Sequence, residues 1–217
     1  MIVKQFEVGN FNIFSYLIAD EEAKEGLFID PSDDHDLLLQ EAALHGLTIK
    51  YIVNTHHHID HVMGNREMVN RTGAKIVIHK DDAPHMQNID PGTLRMFGAE
   101  VPPEADIMLA DGDLIEVGNI TLKVIHTPGH TPGGMCLYLE GTPGRQGMVF
   151  TGDTLFVGTC GRTDFQGGSF EQLEKSVTTR LYTLADETVI FPGHNYASRP
   201  TSTIGQERKT NDAIRSN

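Results

Sequence analysis

Short apolar runs alternate with longer amphipathic stretches along the chain, and this pattern predicts strands and helices in turn. The first thirty residues contain short apolar runs only, and these runs predict three strands at about 1–8, 12–19 and 26–30. A helix is then predicted over 33–45, because leucines recur there at helical spacing and Gly46 is placed to end it.

The alternation continues through the rest of the chain. Further strands are predicted at about 49–54, 75–79, 114–117, 120–126, 135–140, 147–151 and 188–191. Helices are predicted at 63–72 and 169–183, where apolar residues lie three or four positions apart. The segment Thr203-Ile204-Gly205-Gln206 matches a capping box, so a last helix is expected in the tail.

Residues 80–106 have no clear period and contain four prolines, each of which removes a backbone hydrogen-bond donor. We expect an irregular segment with one short helix, and we consider it as a lid over the candidate site. Its Met86, Met96 and Phe97 are expected in the core rather than in contact with a substrate.

Strands that alternate with helices imply an α/β layered fold. The N-terminal strands follow one another without helices, which argues against a purely parallel sheet. Two mixed sheets packed together with helices outside fit this pattern better. We find no internal repeat or linker, so residues 1–217 are expected to form a single domain.

Composition narrows the function classes. The formal net charge of −13 argues against nucleic acid as a partner, because nothing would offset phosphate repulsion. No apolar run approaches the ~20 residues that cross a membrane, and the N-terminus shows no signal peptide. Cys136 and Cys160 are therefore expected to be free thiols, and the cytoplasm is the expected location.

Possible metal ligands crowd the segment His56-His57-His58-Ile59-Asp60-His61. Imidazole and carboxylate groups bind zinc, iron and manganese. The segment follows a predicted strand and precedes a predicted helix, so its side chains can converge on one point. The alternative, a solvated loop that is rich in histidine, becomes less attractive once three later segments are considered.

Each of these later segments is an apolar strand, then a glycine turn, then a possible ligand: His130, Asp153 and His194. The carboxyl ends of strands commonly line one edge of a sheet, where α/β proteins build their sites. Repetition makes the joint pattern stronger than any one segment, and it indicates a site for two metals.

The H-x-H-x-D-H motif and the order of the three later ligands resemble the metallo-β-lactamase fold superfamily. This resemblance covers nearly the whole chain and implies an αββα sandwich with the metals at one edge. It further implies that the first metal is held by His56, His58 and His130, and the second by Asp60, His61 and His194, with Asp153 as the bridge. We expect two divalent metals, zinc first and iron or manganese as alternatives, and we assign Asp60 a catalytic role as well.

Within the superfamily, the chain is most similar to the glyoxalase II group, which implies hydrolysis of a thioester such as an S-2-hydroxyacylglutathione by a metal-bridging hydroxide. By this resemblance, Arg162 and Tyr196 would contact the glutathione-derived substrate. Glyoxalase II carries a helical C-terminal domain, whereas only 23 residues follow His194 here.

Two alternatives stay open. The segment Cys160-Gly161-Arg162-Thr163-Asp164-Phe165 resembles the persulfide dioxygenases, which use one iron and act on glutathione persulfide. A non-catalytic metal-binding relative is the third possibility, although an inactive relative would typically have lost a ligand. The oligomeric state is not indicated by the sequence.

Overall fold

In the computed structural model, which describes residues 1–214, two six-stranded sheets pack face to face. The first sheet contains, in spatial order, β1 (Ile2–Val8), β2 (Ile13–Asp20), β3 (Glu25–Ile29), β4 (Thr48–Val53), β5 (Lys75–His79) and β6 (Ile107–Leu109). The second contains, in spatial order, β7 (Leu114–Val117), β8 (Ile120–His126), β9 (Met135–Leu139), β10 (Met148–Gly152), β11 (Val189–Pro192) and β12 (Ser202–Thr203). Both are mixed, because β3 to β6 pair in parallel, β10 and β11 pair in parallel, and the other neighbours are antiparallel.

Short helices join and cover these strands. They are α1 (His35–Leu44), α2 (Ile59–Val62), α3 (Asn65–Thr72), α4 (Ala83–Gln87), α5 (Pro91–Phe97), α6 (Phe170–Ser176) and α7 (Ile204–Thr210). A π-helical segment, Val177–Leu181, continues α6. The capping residue expected for the last helix is present, since the Thr203 side chain accepts a hydrogen bond of 3.2 Å from the Gln206 amide.

Strand β2 shows why the sandwich is stable, because all eight of its residues are buried. Phe14, Tyr16 and Ile18 point into the core between the sheets, where they meet apolar side chains of β8 and β9. Leu17 and Ala19 point the other way and pack under α1 and α3. A strand that is covered on both faces is apolar at most positions, and in β2 only Ser15 and Asp20 interrupt the apolar run.

The second sheet is covered on its outer face in the same way. Val149 of β10 and Ile190 of β11 pack against Val177 and Leu181 of the π-helical segment and Ile204 of α7. The prediction of two mixed sheets flanked by helices is therefore confirmed. No helix in the described part of the chain, residues 1–214, is long and apolar enough to cross a membrane.

Several local predictions were wrong, and the short elements α2 and β12 were not predicted. Residues 80–106 contain two helices rather than one, and α5 begins where Asp90 accepts a hydrogen bond of 2.9 Å from the Thr93 amide. Strand β6 was missed because three residues are too few to show a period. The helix predicted at 169–183 is α-helical only to Ser176 and ends, after the π-helical segment, at Leu181.

Candidate metal centre

The four ligand-bearing segments meet at one edge of the sandwich. Strands β8, β10 and β11 all run in the same direction, so the residues that follow them, His130, Asp153 and His194, emerge together. Strand β4 of the other sheet supplies the segment from His56 to His61, the second part of which forms α2. The structure therefore brings together all seven side chains that the sequence pointed to.

These side chains form three overlapping groups, in each of which one ligand atom per residue lies within 4.8 Å of the others. We call His56, His58 and His130 the first ligand set, and Asp60, His61 and His194 the second ligand set. The remaining group joins His56, His61 and Asp153.

Asp153 lies between the two ligand sets. Its Oδ2 is 3.5 Å from His130 Nε2 and 3.3 Å from His194 Nε2, while its Oδ1 is 3.4 Å from His61 Nε2. Asp60 is farther out, with its Oδ2 3.7 Å from His194 Nε2. A carboxylate that reaches histidines of both sets is placed as a bridge between two cations would be.

The residues present fit a metal. Among residues 1–214, three buried polar atoms at the centre, His56 Nε2, His130 Nε2 and Asp153 Oδ1, have no hydrogen-bond partner. A buried polar atom without a partner is costly, and native structures rarely leave one unexplained. Imidazole nitrogen and carboxylate oxygen are ligands of zinc, iron and manganese, so bound cations would account for all three atoms.

A buried aspartate that the sequence analysis missed supports both ligand sets. His61 Nδ1 donates to Asp30 Oδ2 over 3.0 Å, and the Thr55 hydroxyl donates to the same oxygen over 2.6 Å. The Thr55 oxygen in turn lies 3.1 Å from His56 Nδ1. Such contacts direct the Nε2 lone pair of each histidine toward the metal position. Asp30 directly follows β3, which is the same strand-then-ligand pattern that marked the other sites.

Backbone carbonyls orient two further histidines. His130 Nδ1 donates to the Arg162 carbonyl over 2.6 Å, and His194 Nδ1 donates to the Phe11 carbonyl over 2.9 Å. Since each Nδ1 is used as a donor, each Nε2 is left free to bind a cation.

The ionisation of the histidines differs between the sets. Burial, followed by the neighbouring histidines, lowers the pKa of His56 well below its usual value and that of His58 to about 2, so both are neutral. For His61, burial lowers the pKa, but the carboxylates of Asp153, Asp30 and Asp60 outweigh it and raise the pKa to about 10. Burial opposes ionisation of Asp153, yet His61 and His194 hold its pKa below the usual range.

Two glycines allow the backbone to pack closely on Asp153. A Cβ on Gly193 would collide with the Asp153 carboxylate, and one on Gly161 would collide with the Asp153 carbonyl. Gly161 also lies against His130, since its Cβ would come 3.0 Å from Nδ1. The Pro-Gly-His turn before His194 therefore needs glycine for space at the site.

A cavity of about 620 Å³ opens beside the ligands. The predicted substrate residues Arg162 and Tyr196 both line it. Arg162 is held by Asp164 through two hydrogen bonds of 2.6 Å, and its guanidinium lies 4.1 Å from the centre of the Phe165 ring. Tyr196 stacks on the His194 ring at 4.6 Å, and burial, then Asp153 and Asp60, raise its pKa to about 12.

The segment predicted as a lid forms one wall of this cavity. Residues of α4, α5 and the turn between them line it: His85, Asn88, Ile89, Asp90, Thr93 and Phe97. Met86 is fully buried in the core, as expected, whereas Met96 is 82% exposed, which corrects the expectation for Met96. Phe97 packs against the same core cluster as Met86 and also lines the cavity. The Phe97 ring lies 4.8 Å from that of Phe11, whose carbonyl orients His194.

Asp82 is a second residue that the sequence analysis missed. Its fully buried carboxylate accepts from the His57 amide over 2.9 Å, from the Thr131 hydroxyl over 2.8 Å and from the Gly133 amide over 2.5 Å. It therefore ties the loop of the H-x-H-x-D-H motif to the loop that carries His130. His57, which is no ligand in the motif, lines the cavity with its Nδ1 2.9 Å from Asp82 Oδ2.

In the described part of the chain, residues 1–214, one other group of possible ligands, His79, Asp81 and His126, lies outside this centre. The two imidazole rings are stacked at 4.0 Å with only 13° between their planes. Lone pairs of nearly parallel stacked rings run side by side and do not converge on one ion. This geometry fits the packing role expected for His79 and His126.

A two-sheet sandwich that gathers seven histidine and aspartate side chains at one edge defines a metal-dependent enzyme. The sequence pattern described as "Metallo-beta-lactamase superfamily" matches residues 8–194. The chain belongs to this superfamily.

Relatives within the superfamily differ in activity. "Persulfide dioxygenase ETHE1, mitochondrial" of Mus musculus is 34% identical over 205 residues, which are 93% of this chain and 71% of that protein. "Hydroxyacylglutathione hydrolase" of Pelagibacter ubique (strain HTCC1062) is 35% identical over 188 residues, which are 86% of this chain and 68% of that protein. The crystal structure of TTHA1623 in a di-iron-bound form has a TM-score of 0.82 and 32% identity, covering 97% of this chain and 99% of that chain.

Proposed function

We propose that the protein is a dinuclear metallohydrolase that cleaves a thioester such as an S-2-hydroxyacylglutathione. The observation that carries this proposal is the complete second ligand set beside the first. Asp60, His61 and His194 lie within 4.8 Å of one another by their ligand atoms, and Asp153 reaches both sets. The similarity to the hydroxyacylglutathione hydrolase of Pelagibacter ubique supports the choice of substrate class.

In this proposal, a pair of divalent cations supplies Lewis acidity and an activated water when bound. The seven side chains hold the pair, and Asp30, Thr55 and two carbonyls keep the histidine rings in orientation. The Asp60 side chain is 23% exposed and lines the cavity, so it can accept a hydrogen bond from the attacking water. The thiolate leaving group needs little help from an acid, because thiol pKa values are ~8.5.

The cavity would hold the substrate with its thioester toward the ligands. Phe156, Phe165 and Tyr196 offer apolar and aromatic surface, and Arg162 offers positive charge. Because Asp164 already pairs with Arg162, a substrate carboxylate would have to share or displace this partner. We therefore expect Arg162 to contribute modestly to the affinity for anionic thiol esters.

A second candidate function is oxidation of a glutathione persulfide. The similarity to the ETHE1 persulfide dioxygenase of Mus musculus favours it, as does the segment from Cys160 to Phe165. That chemistry needs one iron and molecular oxygen, so it would leave part of the ligand cluster without a metal.

Metal analysis and parallel assays would separate the two functions. Purified protein would be measured for zinc, iron and manganese per chain, and then assayed with S-lactoylglutathione and with glutathione persulfide in an oxygen electrode. Two metals per chain and thioester hydrolysis without oxygen consumption would support the hydrolase. One iron per chain and oxygen uptake on the persulfide, without hydrolysis, would contradict it.

A further inference from the structure

The carboxylate of Glu207, on α7, is fully buried and lies outside the metal centre. Its Oε2 accepts from the Gly158 amide over 2.7 Å, and its Oε1 accepts from the Ser202 hydroxyl over 2.5 Å. The half-exposed Arg199 lies near it, with a guanidinium nitrogen 3.7 Å from Oε1. Burying a carboxylate is costly, so these contacts have to offset its desolvation.

Asn211, at the end of the same helix, forms a second link between α7 and the segment that contains Gly158. Its side-chain amide donates to Glu207 Oε2 over 2.9 Å and to the Thr159 carbonyl over 3.0 Å. Two side chains of the C-terminal helix therefore hold the backbone of Gly158 and Thr159. We call this pair the C-terminal clamp.

The clamped residues belong to the loop 156–162, which forms part of the cavity wall. Phe156, Thr159, Cys160 and Arg162 of this loop line the cavity. The turn is closed by a hydrogen bond of 2.9 Å from the Phe156 amide to the Thr159 carbonyl, which is the same carbonyl that Asn211 holds. The position of the cavity wall is thus linked to α7.

We propose that Glu207 and Asn211 are positioning residues, which fix the loop 156–162 in the shape that receives the thiol part of the substrate. The inference rests on the proposed function only for the identity of that substrate. This role differs from a purely structural one, because the clamp forms hydrogen bonds with the loop and does not pack in the core. The apolar anchor of α7, Ile204, packs under the second sheet independently of the clamp.

The clamp acts on substrate binding and not on the metals. The part of the loop nearest the ligands is held separately, because Gly161 packs on the Asp153 carbonyl and the Arg162 carbonyl accepts from His130. Loss of the clamp is therefore expected to loosen Phe156 to Cys160 and to leave the metal content unchanged.

The test compares four variants of the metal-loaded, full-length protein. Glu207→Ala removes the acceptor of the Gly158 amide, and Asn211→Ala removes the donor to Thr159. Glu207→Gln keeps one side-chain oxygen as the acceptor for the Gly158 amide. Its NH2 group can then donate a hydrogen bond to the Ser202 hydroxyl. Tyr182→Phe is the matched control, since the Tyr182 hydroxyl lies 3.3 Å from the carbonyls of Glu207 and Ile214 and so supports the C-terminal segment, while no hydrogen bond joins it to the loop 156–162 within residues 1–214.

Each variant is measured for hydrogen exchange of the Gly158 amide, for metal content, and for KM and kcat on S-lactoylglutathione. We expect Glu207→Ala and Asn211→Ala to raise KM about tenfold, with kcat and metal content within about twofold of the wild type. The Gly158 amide should exchange faster in Glu207→Ala. Glu207→Gln and Tyr182→Phe should keep KM within about twofold.

Three results would overturn the clamp. These are an unchanged KM in Asn211→Ala together with Glu207→Ala, an equal rise of KM in Tyr182→Phe, or a protected Gly158 amide in Glu207→Ala. If Glu207→Ala does not fold, Asn211→Ala and Glu207→Gln decide the matter. A wild type that is inactive on the thioester would contradict the proposed function, and the exchange of the Gly158 amide would still test the clamp.

Discussion

The two ligand sets differ in what holds them together. The first set consists of imidazoles alone, and two of its buried nitrogens, His56 Nε2 and His130 Nε2, accept no hydrogen bond from residues 1–214. In the second set the side chains contact one another, with His61 Nε2 3.2 Å from His194 Nε2 and Asp60 3.7 Å from the same atom. The first set is thus a cluster of imidazoles, whereas the second adds a carboxylate and brings the Nε2 atoms of its two histidines close together.

This difference teaches how one fold can prepare two neighbouring metal positions by different means. The imidazoles of the first set are held by outer contacts in an orientation that is ready for a cation. The second set includes the Asp60 carboxylate, so its metal affinity also depends on the groups that support this charge and orient its histidines. The two sets should therefore respond differently to substitutions, and four predictions test this.

The largest effect is expected where the two sets meet. Asp153→Ala removes the one carboxylate that lies within 3.5 Å of histidines from both sets. We expect both metals to be lost and kcat/KM to fall by roughly a thousandfold or more. Metal analysis and the thioester assay would be run beside Asp36→Ala, an exposed aspartate on α1. Full activity in Asp153→Ala would contradict the bridging role.

The next largest effect is expected from substitutions that remove a ligand from only one of the two sets. His58→Ala removes a ligand of the first set only, and Asp60→Ala removes a ligand of the second set only. We expect each variant to keep about one metal per chain and to lose most of its hydrolytic activity, because both cations are needed. Metal titration followed by calorimetry would measure this. Loss of both metals in both variants would mean that the sets cannot be filled independently.

A smaller effect is expected from the outer support of the second set. Asp30→Asn weakens the hydrogen bond to His61 Nδ1 while keeping the size of the side chain. Removal of such a partner typically lowers metal affinity by about 10–100-fold. We expect the second metal to be affected more than the first, because Asp30 reaches His56 only through Thr55. Asp36→Asn is the matched control, and equal weakening of both metals would contradict the distinction.

The sequence predicted most of the fold, because strands with long apolar runs and the glycines that follow helices are local signals. The layered arrangement followed from the alternation of elements, and the structure confirms it. The segment 80–106 was less predictable. It contains two helices of only one or two turns, and its prolines favoured an irregular segment instead. Strand β6 is defined by its parallel pairing with β5. Such pairing between distant residues cannot be detected from the hydrophobic pattern of three residues.

The sequence predicted the possible metal ligands, because each of them follows a strand. It did not predict the residues that support these ligands. All seven ligand residues come together, although their roles as ligands stay predictions. Asp30 and Asp82 were missed because their importance arises from contacts with residues 25 or more positions away along the chain. Asp30 carried a usable signal, since it follows an apolar strand as Asp153 does.

The smallest effect tests the support of the first set. His130 is oriented by the backbone carbonyl of Arg162, so removal of the Arg162 side chain should leave the metals in place, in contrast to Asp30→Asn. Because the guanidinium is exposed and paired with Asp164, its interaction with a substrate carboxylate is expected to be weak. Arg162→Ala should then raise KM for an anionic thiol ester by about two- to fivefold, with kcat and metal content unchanged. Arg180→Ala is the control for lost positive charge, because Arg180 is also paired with an aspartate, Asp111, and does not line the cavity. An unchanged KM in Arg162→Ala would remove this arginine from the substrate site, and a loss of metal would show that its side chain, and not only its carbonyl, supports His130.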